Sequence, residues 1–453
     1  MGLSENSGKN VLLLAYYFPP CGMGGVQRAA KLAKYLPLYG WNVTIVTVKD
    51  ILYYQKDPTL LNELETLVPA VDIQRAGSLD PLRLAYIFRR NKKVFFQKKD
   101  TMTVAKRPSL FQNVFRFFDR YFFIPDSKIV WFPFAFLKAV RIIRKKHIRA
   151  IISTAPPFST HIIALCLAKV FRIPWIADFR DGWSNNHLFK QKRLYYSINS
   201  WLEKSTLKTA RAVTCYGNTL VSYLSDRYNC SKDKFICLYN GFDEEDFSSP
   251  DSGKNERFTI SFIGTITYWS NPEVFLPVIQ KVMESNEDFN NHLKLQIIGR
   301  DMYPPFIHCV EQSGLMPKLS TIGYLSHKDT VKQLTASHLL LFPITNNPDG
   351  SIITGKLFEY IASGIPLLAI VPVGEARTII GQYCKEYCIL EDTNFEEASA
   401  FIVQVYSRWR DSKDFAVPQS SAEKEAHWNA IKHFSRKYQA QKVAELLNTF
   451  IAE

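Results

Sequence analysis

The segment VLLLAYYFPPCGMGGVQRAAKLAKYL (11–36) decides the fold class, because it predicts a strand, a glycine-rich turn and a helix in direct succession. Gly22, Gly24 and Gly25 allow the backbone to approach another molecule closely, and the helix that follows presents free N–H groups and a partial positive charge. The spacing is not GxGxxG, and no acidic residue ends the next strand as a dinucleotide fold would prefer. The alternative interpretation is a tight turn with no ligand.

Strand-like and helix-like segments alternate along the rest of the chain. In the first half, apolar runs predict strands at 11–17, 42–48, 71–74, 150–154, 174–178, 212–216 and 235–239. In the second half, they predict strands at 258–264, 293–299, 319–323, 338–344, 366–372 and 386–390. Because the runs are nearly continuous in apolar residues, we expect an α/β protein with parallel sheets covered on both faces.

The length of 453 residues exceeds what one hydrophobic core usually supports, so two domains are expected. The polar segment 244–257 (EEDFSSPDSGKNER) predicts a linker or hinge. We therefore predict an N-terminal Rossmann-like domain over 1–245 and a C-terminal Rossmann-like domain over 256–415, with their sheets facing a cleft. The amphipathic stretch 426–452 predicts a terminal helix that packs back on the N-terminal domain.

The net charge of +14 is concentrated in one segment, residues 81–150. That segment holds eighteen Lys and Arg, three acidic residues and fifteen aromatic residues, while the rest of the chain holds 38 Lys and Arg against 39 Asp and Glu. We predict a basic aromatic helical insertion in the N-terminal domain. Either it packs into that domain with a solvated basic face, or it lies on an anionic membrane surface. No nucleic-acid-binding motif accompanies the charge, so a nucleic-acid partner is not expected.

The chain shows no signal for export or membrane insertion. MGLSENSGKN (1–10) lacks the features of a signal peptide, and no apolar run reaches about 18 residues. The eight cysteines are scattered without CxxC spacing, which is typical of free thiols in a reducing compartment. We therefore expect a cytoplasmic protein, either free or peripheral on the inner face of the cytoplasmic membrane.

A compact group of charges follows the strand at 174–178. Asp178, Arg180 and Asp181 in IADFRDGWSNN (176–186) come at the carboxyl end of that strand, where open α/β sheets bind ligands. These groups could bind sugar hydroxyls or an acceptor, or act in proton transfer. The alternative interpretation is an internal salt bridge that orders the loop. His161 is expected to be a packed or surface residue.

A second candidate site lies in NNPDGSIITGKLFEYIASGIPLLAIVPVGEA (346–376). A polar loop with glycines precedes a helix whose start offers backbone amides, a suitable cradle for a diphosphate. These amides belong to Ser351, Ile352, Ile353, Thr354 and Gly355. Lys356 supplies a cation for phosphate and Glu359 a carboxylate for ribose hydroxyls, although the two could instead form a surface ion pair.

Taken together, several motifs resemble those of GT-B glycosyltransferases of the family-4 type. They are GMGGVQRAAKLAKYL (22–36), LYNGFDEEDF (238–247), SFIGTITYWSNPEVF (261–275), LQIIGRD (295–301), TIGYLSHKD (321–329) and GKLFEYIASGIPLLA (355–369). The resemblance implies a retaining transferase that needs no metal ion or other cofactor. It also implies a role in bacterial surface-polysaccharide biosynthesis, with a nucleotide-sugar donor and a saccharide or lipid-linked acceptor.

The resemblance also implies roles for individual positions. Glu359 matches the carboxylate that holds the donor ribose. The loop that reads the base matches Gly323, Tyr324 and Leu325, and the turn that faces the phosphates matches Gly264 and Thr265. Gly24 and Gly25 match the loop that lines the transfer site. Asp178 and Asp181 match an acidic motif on the N-terminal side of the cleft.

The sequence departs from the family pattern at three positions. Ser351 stands where many members have a first glutamate, eight positions before Glu359, and this departure puts the expected contact to the transferred sugar in question. Thr265 and Ser270 stand where the phosphate turn usually carries Arg and Lys. We expect Lys356 and Arg300 to supply the missing positive charge.

These observations lead to one main hypothesis and two alternatives. The main hypothesis is donor binding in the C-terminal domain, acceptor binding in the N-terminal domain and closure about the linker at 244–257. One alternative is a nucleotide-sugar epimerase or phosphorylase of the same architecture. The other is a non-catalytic scaffold that binds a nucleotide-sugar, which the missing first glutamate would favour.

Overall fold

Two compact units, each built on a parallel sheet, form the described chain. The computed structural model describes residues 8–51, 55–80, 83, 123–184, 193–247, 253–303, 305–345, 350, 352–391, 393–411 and 421–452. The described residues up to Asn240 and from Arg436 onward form the first unit, and those from Gly241 to Ser435 form the second. The element numbers below count the described elements only.

The first unit contains a seven-stranded sheet in the order β3-β2-β1-β4-β5-β6-β7, and every neighbouring pair is parallel. Its strands are β1 Asn10–Leu14, β2 Asn42–Val48, β3 Val71–Ala76, β4 Ala150–Ala155, β5 Trp175–Phe179, β6 Ala212–Cys215 and β7 Phe235–Cys237. Its helices are α1 Val26–Tyr35, α2 Thr59–Glu65, α3 Phe132–Lys146, α4 Ser159–Phe171, α5 Arg193–Thr209 and α6 Asn218–Tyr228. Short 3-10 helices cover Leu36–Tyr39, Ser127–Trp131 and Lys232–Lys234.

The second unit contains a six-stranded parallel sheet in the order β10-β9-β8-β11-β12-β13. Its strands are β8 Phe258–Ile263, β9 Leu293–Ile298, β10 Leu319–Ile322, β11 Leu339–Pro343, β12 Leu367–Ile370 and β13 Tyr387–Ile389. Its helices are α7 Leu276–Ser285, α8 Glu287–His292, α9 Pro305–Gln312, α10 His327–Thr335, α11 Gly355–Ser363, α12 Glu375–Tyr383, α13 Phe395–Asp411 and α14 Ser421–Ile431. Short 3-10 helices cover Glu244–Phe247, Pro272–Phe275, Met316–Lys318 and Lys432–Phe434.

The central strands are buried along their whole length because helices cover both faces of each sheet. Every residue of β4 and β8 is buried, as expected of strands inside a parallel sheet. All thirteen predicted strands are present, and β2 has the predicted bounds. The prediction of two Rossmann-like parallel sheets is therefore confirmed.

The C-terminal residues form two helices, where the sequence predicted one stretch over 426–452. The first, α14, ends at Ile431 within the second unit, and a short turn passes through the fully buried Ser435. The last helix, α15 (Arg436–Ala452), contacts α1 in the first unit. Apolar residues of α15 that join the core there are Ala440, Val443, Ala444 and Leu447.

Much of the predicted basic insertion lies outside the described residues, namely 81–82 and 84–122. The part from Phe123 to Ala150 is described, and it contains α3 with a C-terminal turn rich in Arg and Lys. α3 packs against α4, and α4 packs against α5, on one side of the first sheet. No helix among the described residues combines the length and the apolar character that are needed to cross a bilayer.

Candidate active site

The carboxyl ends of β1, β4 and β5 bring three loops of the first unit together. The strand order reverses between β1 and β4, the position where open α/β sheets bind ligands. From the end of β5, the Arg180 guanidinium donates hydrogen bonds to the carbonyl oxygens of Gly25 and Pro156, in the loops after β1 and β4. Arg180 therefore ties the predicted glycine loop to the neighbouring strand end.

Gly25 has a steric reason to lack a side chain. A Cβ atom placed there would lie 2.5 Å from Nη1 of Arg180, closer than carbon and nitrogen can approach. Gly24 has no such constraint, because a Cβ atom there would meet nothing within 4 Å. Both glycines are exposed at the start of α1. That these glycines line a transfer site stays a prediction.

Asp178 is buried, and its carboxylate is fully engaged. Nε and Nη2 of Arg28 donate to its two oxygens over 3.1 and 2.5 Å. The hydroxyls of Thr154 and Thr214 donate to the same carboxylate, each over 2.7 Å. Burial would raise the Asp178 pKa, but the charge and hydrogen bonds of Arg28 outweigh it and lower the pKa. Asp178 therefore orders the strand end, which is the salt-bridge alternative, and it is not placed to contact a substrate.

Asp181 differs from Asp178 because it is exposed. Desolvation by the surrounding protein nevertheless raises the pKa of its carboxyl to about 6, against the opposing effect of Arg180. For the Arg180 guanidinium, burial lowers the pKa, and the nearby carboxylates of Asp181 and Asp178 oppose that shift. A carboxyl with a pKa near 6 can exchange a proton at neutral pH. Of the three predicted charges, Asp181 alone combines an exposed side chain with a raised pKa.

His161 is a packed residue. It is fully buried, its Nδ1 lies 2.8 Å from Oγ of Ser153, and its ring contacts Phe179 at 4.7 Å between centroids. Burial lowers its pKa to about 3. The imidazole is therefore neutral near pH 7 and enclosed.

In the second unit, two predicted donor segments meet at the carboxyl ends of β8 and β11. The strand order of this sheet reverses between these two strands. Gly264 follows β8, and the ammonium of Lys356, from α11 after β11, lies against it so closely that a Cβ atom at Gly264 would overlap the ammonium. The ammonium also lies 5.1 Å from the ring centroid of Phe262. Gly264 has φ +133°, a backbone conformation that other residues rarely adopt.

The electrostatic setting of Lys356 suits an anion. Burial lowers the pKa of its ammonium to about 8, and Glu359 opposes the shift. Among the described residues, the ammonium makes no hydrogen bond and no ion pair, so the surface ion pair with Glu359 is not formed. A partly desolvated cation with no direct ion pair is an energetically costly arrangement that a bound anion would relieve.

The start of α11 lies beside this cation. Thr354 is the N-cap residue with extended backbone, yet its side chain caps no amide, and its buried Oγ1 has no hydrogen-bond partner in the described part of the chain. The first amides of α11 therefore lack a side-chain cap, and the helix dipole adds partial positive charge there. Ile352 and Gly355 are half-buried in the same segment. Ser351 lies outside the described residues.

The remaining predicted donor residues also lie at carboxyl ends of strands. Thr265 follows β8 and is half-buried, and Arg300 follows β9 and is exposed. The amide of Ile266 donates to the Arg300 carbonyl over 2.8 Å, which ties these two loops together. The loop after β10 contains the exposed Gly323 and the half-buried Tyr324 and Leu325.

Glu359 lies on α11 beside two residues to which the sequence assigned no role. Its Oε1 is 3.7 Å from Nε2 of His327, and that nitrogen is 3.0 Å from Oδ2 of Asp246. Both new residues occur in quoted motifs, LSHKD and NGFDEEDF, but nothing in either motif signals the contact. Arg28, which pairs with Asp178, is a third residue to which the sequence assigned no role. Among the described residues, no group of three His, Cys, Asp or Glu side chains is placed to hold a metal ion.

Comparisons with known proteins give a family match for part of the chain and a fold match for nearly all of it. Residues 100–246 match the sequence profile described as Glycosyltransferase Family 4. No curated protein sequence matches the chain significantly.

Three solved structures illustrate the fold match. A glycosyltransferase from Rickettsia africae ESF-5 is 15% identical with a TM-score of 0.59, over 98% of this chain and 99% of that one. WaaG, a glycosyltransferase involved in lipopolysaccharide biosynthesis, is 13% identical with a TM-score of 0.55, over 96% and 99%. A point mutant of TarM from S. aureus, solved with UDP, is 11% identical with a TM-score of 0.56, over 97% and 100%.

Proposed function

We propose that this chain, which has the GT-B fold and matches the profile of Glycosyltransferase Family 4 over residues 100–246, transfers a sugar from a nucleotide-sugar donor to a saccharide or lipid-linked acceptor. The observation that carries the proposal is the position of Lys356. Its ammonium, which has no ion pair in the described part of the chain, lies against Gly264 where the strand order reverses, beside the uncapped start of α11. A diphosphate fits this combination of cation, backbone amides and helix dipole.

The donor would be held through its phosphates and its ribose. Lys356 and the first amides of α11 bind the diphosphate, while Glu359, four residues into the same helix, accepts hydrogen bonds from the ribose hydroxyls. Gly323, Tyr324 and Leu325 supply the surface for the base. The UDP in the TarM structure supports a nucleoside diphosphate as the leaving group.

The cation also supports a reaction that needs no metal ion, and the resemblance to family-4 enzymes supports retention of configuration. Charge that develops on the leaving diphosphate is stabilised by preorganised donors, and Lys356 with the α11 amides provides them. Arg300, exposed after β9, adds a second positive charge at the same edge of the sheet. Positive charge at Thr265 and Ser270 is therefore not needed.

The acceptor would bind the first unit at the ends of β1 and β5. Gly24 and Gly25 present exposed backbone there, and Asp181 presents a carboxyl whose pKa near 6 suits contact with a hydroxyl. Arg180 and Asp178 hold these loops in place through their hydrogen bonds. The acceptor site thus contains one titrating group on a rigid frame.

A membrane-bound acceptor is supported by the outer surface of the first unit. On α3, Leu137 is exposed, followed by the exposed Arg141, Arg144 and Lys145. This basic and apolar surface is typical of helices that lie on anionic bilayers. It continues the predicted partner surface of residues 81–150, and it would place the protein at the inner face of a bacterial cytoplasmic membrane.

On α5, Trp201 is 65% exposed and Leu194 is 68% exposed. The exposed charges of α5 are Arg193, Lys204 and Lys208, and its one acidic residue, Glu203, is buried. Trp is enriched at bilayer interfaces, where its ring is partly apolar and partly hydrated. The α5 surface therefore has the same character as that of α3.

A screen of nucleotide-sugars by thermal shift, followed by product analysis, tests the proposal. A ligand at 100 times its dissociation constant adds about 2.7 kcal/mol to the stability of the folded state, a clear shift. We expect Glu359→Ala and Lys356→Met each to reduce the shift and to abolish the transfer, and Glu284→Ala, an exposed carboxylate of α7, to change neither. Release of an epimerised free sugar without acceptor, or no shift with any nucleotide-sugar, would contradict the proposal.

A further inference from the structure

The imidazole of His327 lies between two carboxylates of the second unit. Its Nε2 is 3.0 Å from Oδ2 of Asp246 and 3.7 Å from Oε1 of Glu359. The side chains of His327, Asp246 and Glu359 are only 17, 13 and 19% exposed. Interactions among them are therefore less screened by solvent than those at a surface.

His327 and Asp246, the two residues beside Glu359, belong to segments that are held by further contacts. His327 opens α10, and the preceding Ser326 caps that helix by accepting the Asp329 amide over 3.2 Å. Asp246 belongs to the 3-10 helix Glu244–Phe247, whose Phe247 ring packs edge-on against Trp428 at 6.3 Å between centroids. The imidazole is thus anchored from two sides.

The two contacts of Nε2 differ in kind. The contact with Asp246 is within hydrogen-bond range, whereas the contact with Glu359, at 3.7 Å, is longer and places the ring directly beside the carboxylate. A free glutamate side chain loses up to about 2 kcal/mol of conformational entropy when it is fixed. An anchored neighbour reduces that cost before a ligand arrives, which is how supporting residues make a binding group more effective.

We propose that His327, anchored by Asp246, is a positioning residue that holds the Glu359 carboxylate in the orientation that accepts the ribose of the donor nucleotide. The inference rests on the proposed function, because it takes Glu359 as the ribose acceptor. A purely structural role, in which His327 only pins the turn at 244–247, would change stability but not the preference for a ribose hydroxyl. The two roles are separable by experiment.

The experiment measures ribose preference on the full chain by calorimetric titration. The probe is whichever of UDP, GDP, ADP and CDP gives the largest thermal shift, compared with its 2′-deoxy and 3′-deoxy forms. The wild type should bind the ribose form at least tenfold more tightly than one deoxy form. His327→Ala should reduce this ratio at least fivefold, while His327→Gln, which keeps an N–H donor, should retain it within twofold.

Two controls complete the design. His308→Ala removes a histidine of the same unit that is 68% exposed, and it should leave the ratio unchanged. In the Glu359→Ala background, His327→Ala should cause no further loss, because a positioning residue acts only through the group that it holds. Asp246→Asn should lower the ratio in the same direction as His327→Ala.

An unchanged ratio in His327→Ala, or a lower melting temperature as its only effect, would overturn the inference while leaving the donor site intact. If His327→Ala does not fold, His327→Gln and Asp246→Asn decide, and an unchanged ratio in Asp246→Asn overturns the inference. If the wild type binds none of the four nucleotides, or Glu359→Ala keeps the full ratio, the proposed donor site itself fails. The two failures therefore give different results.

Discussion

Arg28 and Asp178, 150 residues apart in the chain, form a two-point ion pair that is almost completely buried, with side-chain exposures of 3 and 2%. Arg28 also donates to the carbonyl oxygen of Tyr239 over 3.1 Å. One guanidinium thus joins α1, β5 and the chain after β7. Because both charges are out of water, each depends on the other.

Removing one partner of this pair should destabilise the first unit strongly. We expect Arg28→Met to lower the free energy of unfolding by about 3–5 kcal/mol, because it leaves the buried Asp178 charge uncompensated. Chemical denaturation of the full chain measures the change, with the exposed Arg144→Met as a control near zero. A loss below about 1 kcal/mol, the size of an ordinary surface substitution, would show that the pair is not needed for stability.

The same pair should make the protein sensitive to acid. The pKa of Asp178 is lowered in the folded state, so its stabilisation is complete above the ordinary aspartate pKa of about 4 and is lost as the pH falls through the folded value. The difference in unfolding free energy between the wild type and Arg28→Met should therefore shrink below about pH 4. A difference that stays constant from about pH 6 to about pH 3 would contradict this linkage.

A methyl group at Gly25 should disturb the loop that Arg180 holds. Gly25→Ala places a Cβ atom 2.5 Å from Nη1 of Arg180, and we expect a loss of about 1–3 kcal/mol of stability, as for other overpacked sites. Gly24→Ala, one residue earlier and in open space, is the matched control and should change stability by less than about 0.5 kcal/mol. Equal effects of the two substitutions would rule out the steric explanation.

Nucleotide affinity should fall in alkaline solution. The pKa of Lys356 is about 8, so its ammonium is charged below that pH and neutral above it. Since a charged hydrogen bond contributes about 1.5–3 kcal/mol and a group with a pKa of about 8 limits the effect over this range to about thirtyfold, the dissociation constant of UDP should rise roughly ten- to thirtyfold between about pH 7 and about pH 9.5. Lys356→Met should bind weakly and without this dependence, and a wild type whose affinity is flat over the range would exclude Lys356 as the phosphate cation.

Binding to anionic vesicles should depend on the exposed surface of α5. Sedimentation with vesicles of phosphatidylcholine and phosphatidylglycerol should weaken at least about tenfold in the Lys204→Glu, Lys208→Glu double variant, since each basic residue contributes about 1 kcal/mol. The control is Lys328→Glu, Lys332→Glu, an exposed pair with the same spacing on α10. Equal binding to vesicles of phosphatidylcholine alone would contradict an electrostatic contribution.

The strands were predictable because buried parallel strands leave a continuous apolar run in the sequence. β2 and β8 illustrate this, since each is hydrophobic or β-branched along nearly its whole length. The end of the chain was less predictable. The break before α15 falls at the buried Ser435, whose backbone is extended, and the helical spacing of 426–452 does not show it.

Charged contacts between distant segments were the part of the site that the sequence could not supply. Arg28 lies within a helix whose pattern gives no sign of a buried ion-pair partner, and that partner, Asp178, lies near the carboxyl end of β5. The contact of His327 with Glu359 is likewise invisible, because it joins the first residue of one helix to the middle of another. The proximity of Lys356 to Gly264 was easier to predict from the sequence, since both residues follow central strands of one parallel sheet.

The position of α15 has a consequence for synthesis on the ribosome. The first unit takes its last apolar cover from residues such as Val443 and Leu447, which leave the ribosome after the whole second unit has been made. Until α15 has been synthesised, apolar surface on one side of the first sheet therefore stays exposed. We expect chaperones to bind the nascent chain during that interval.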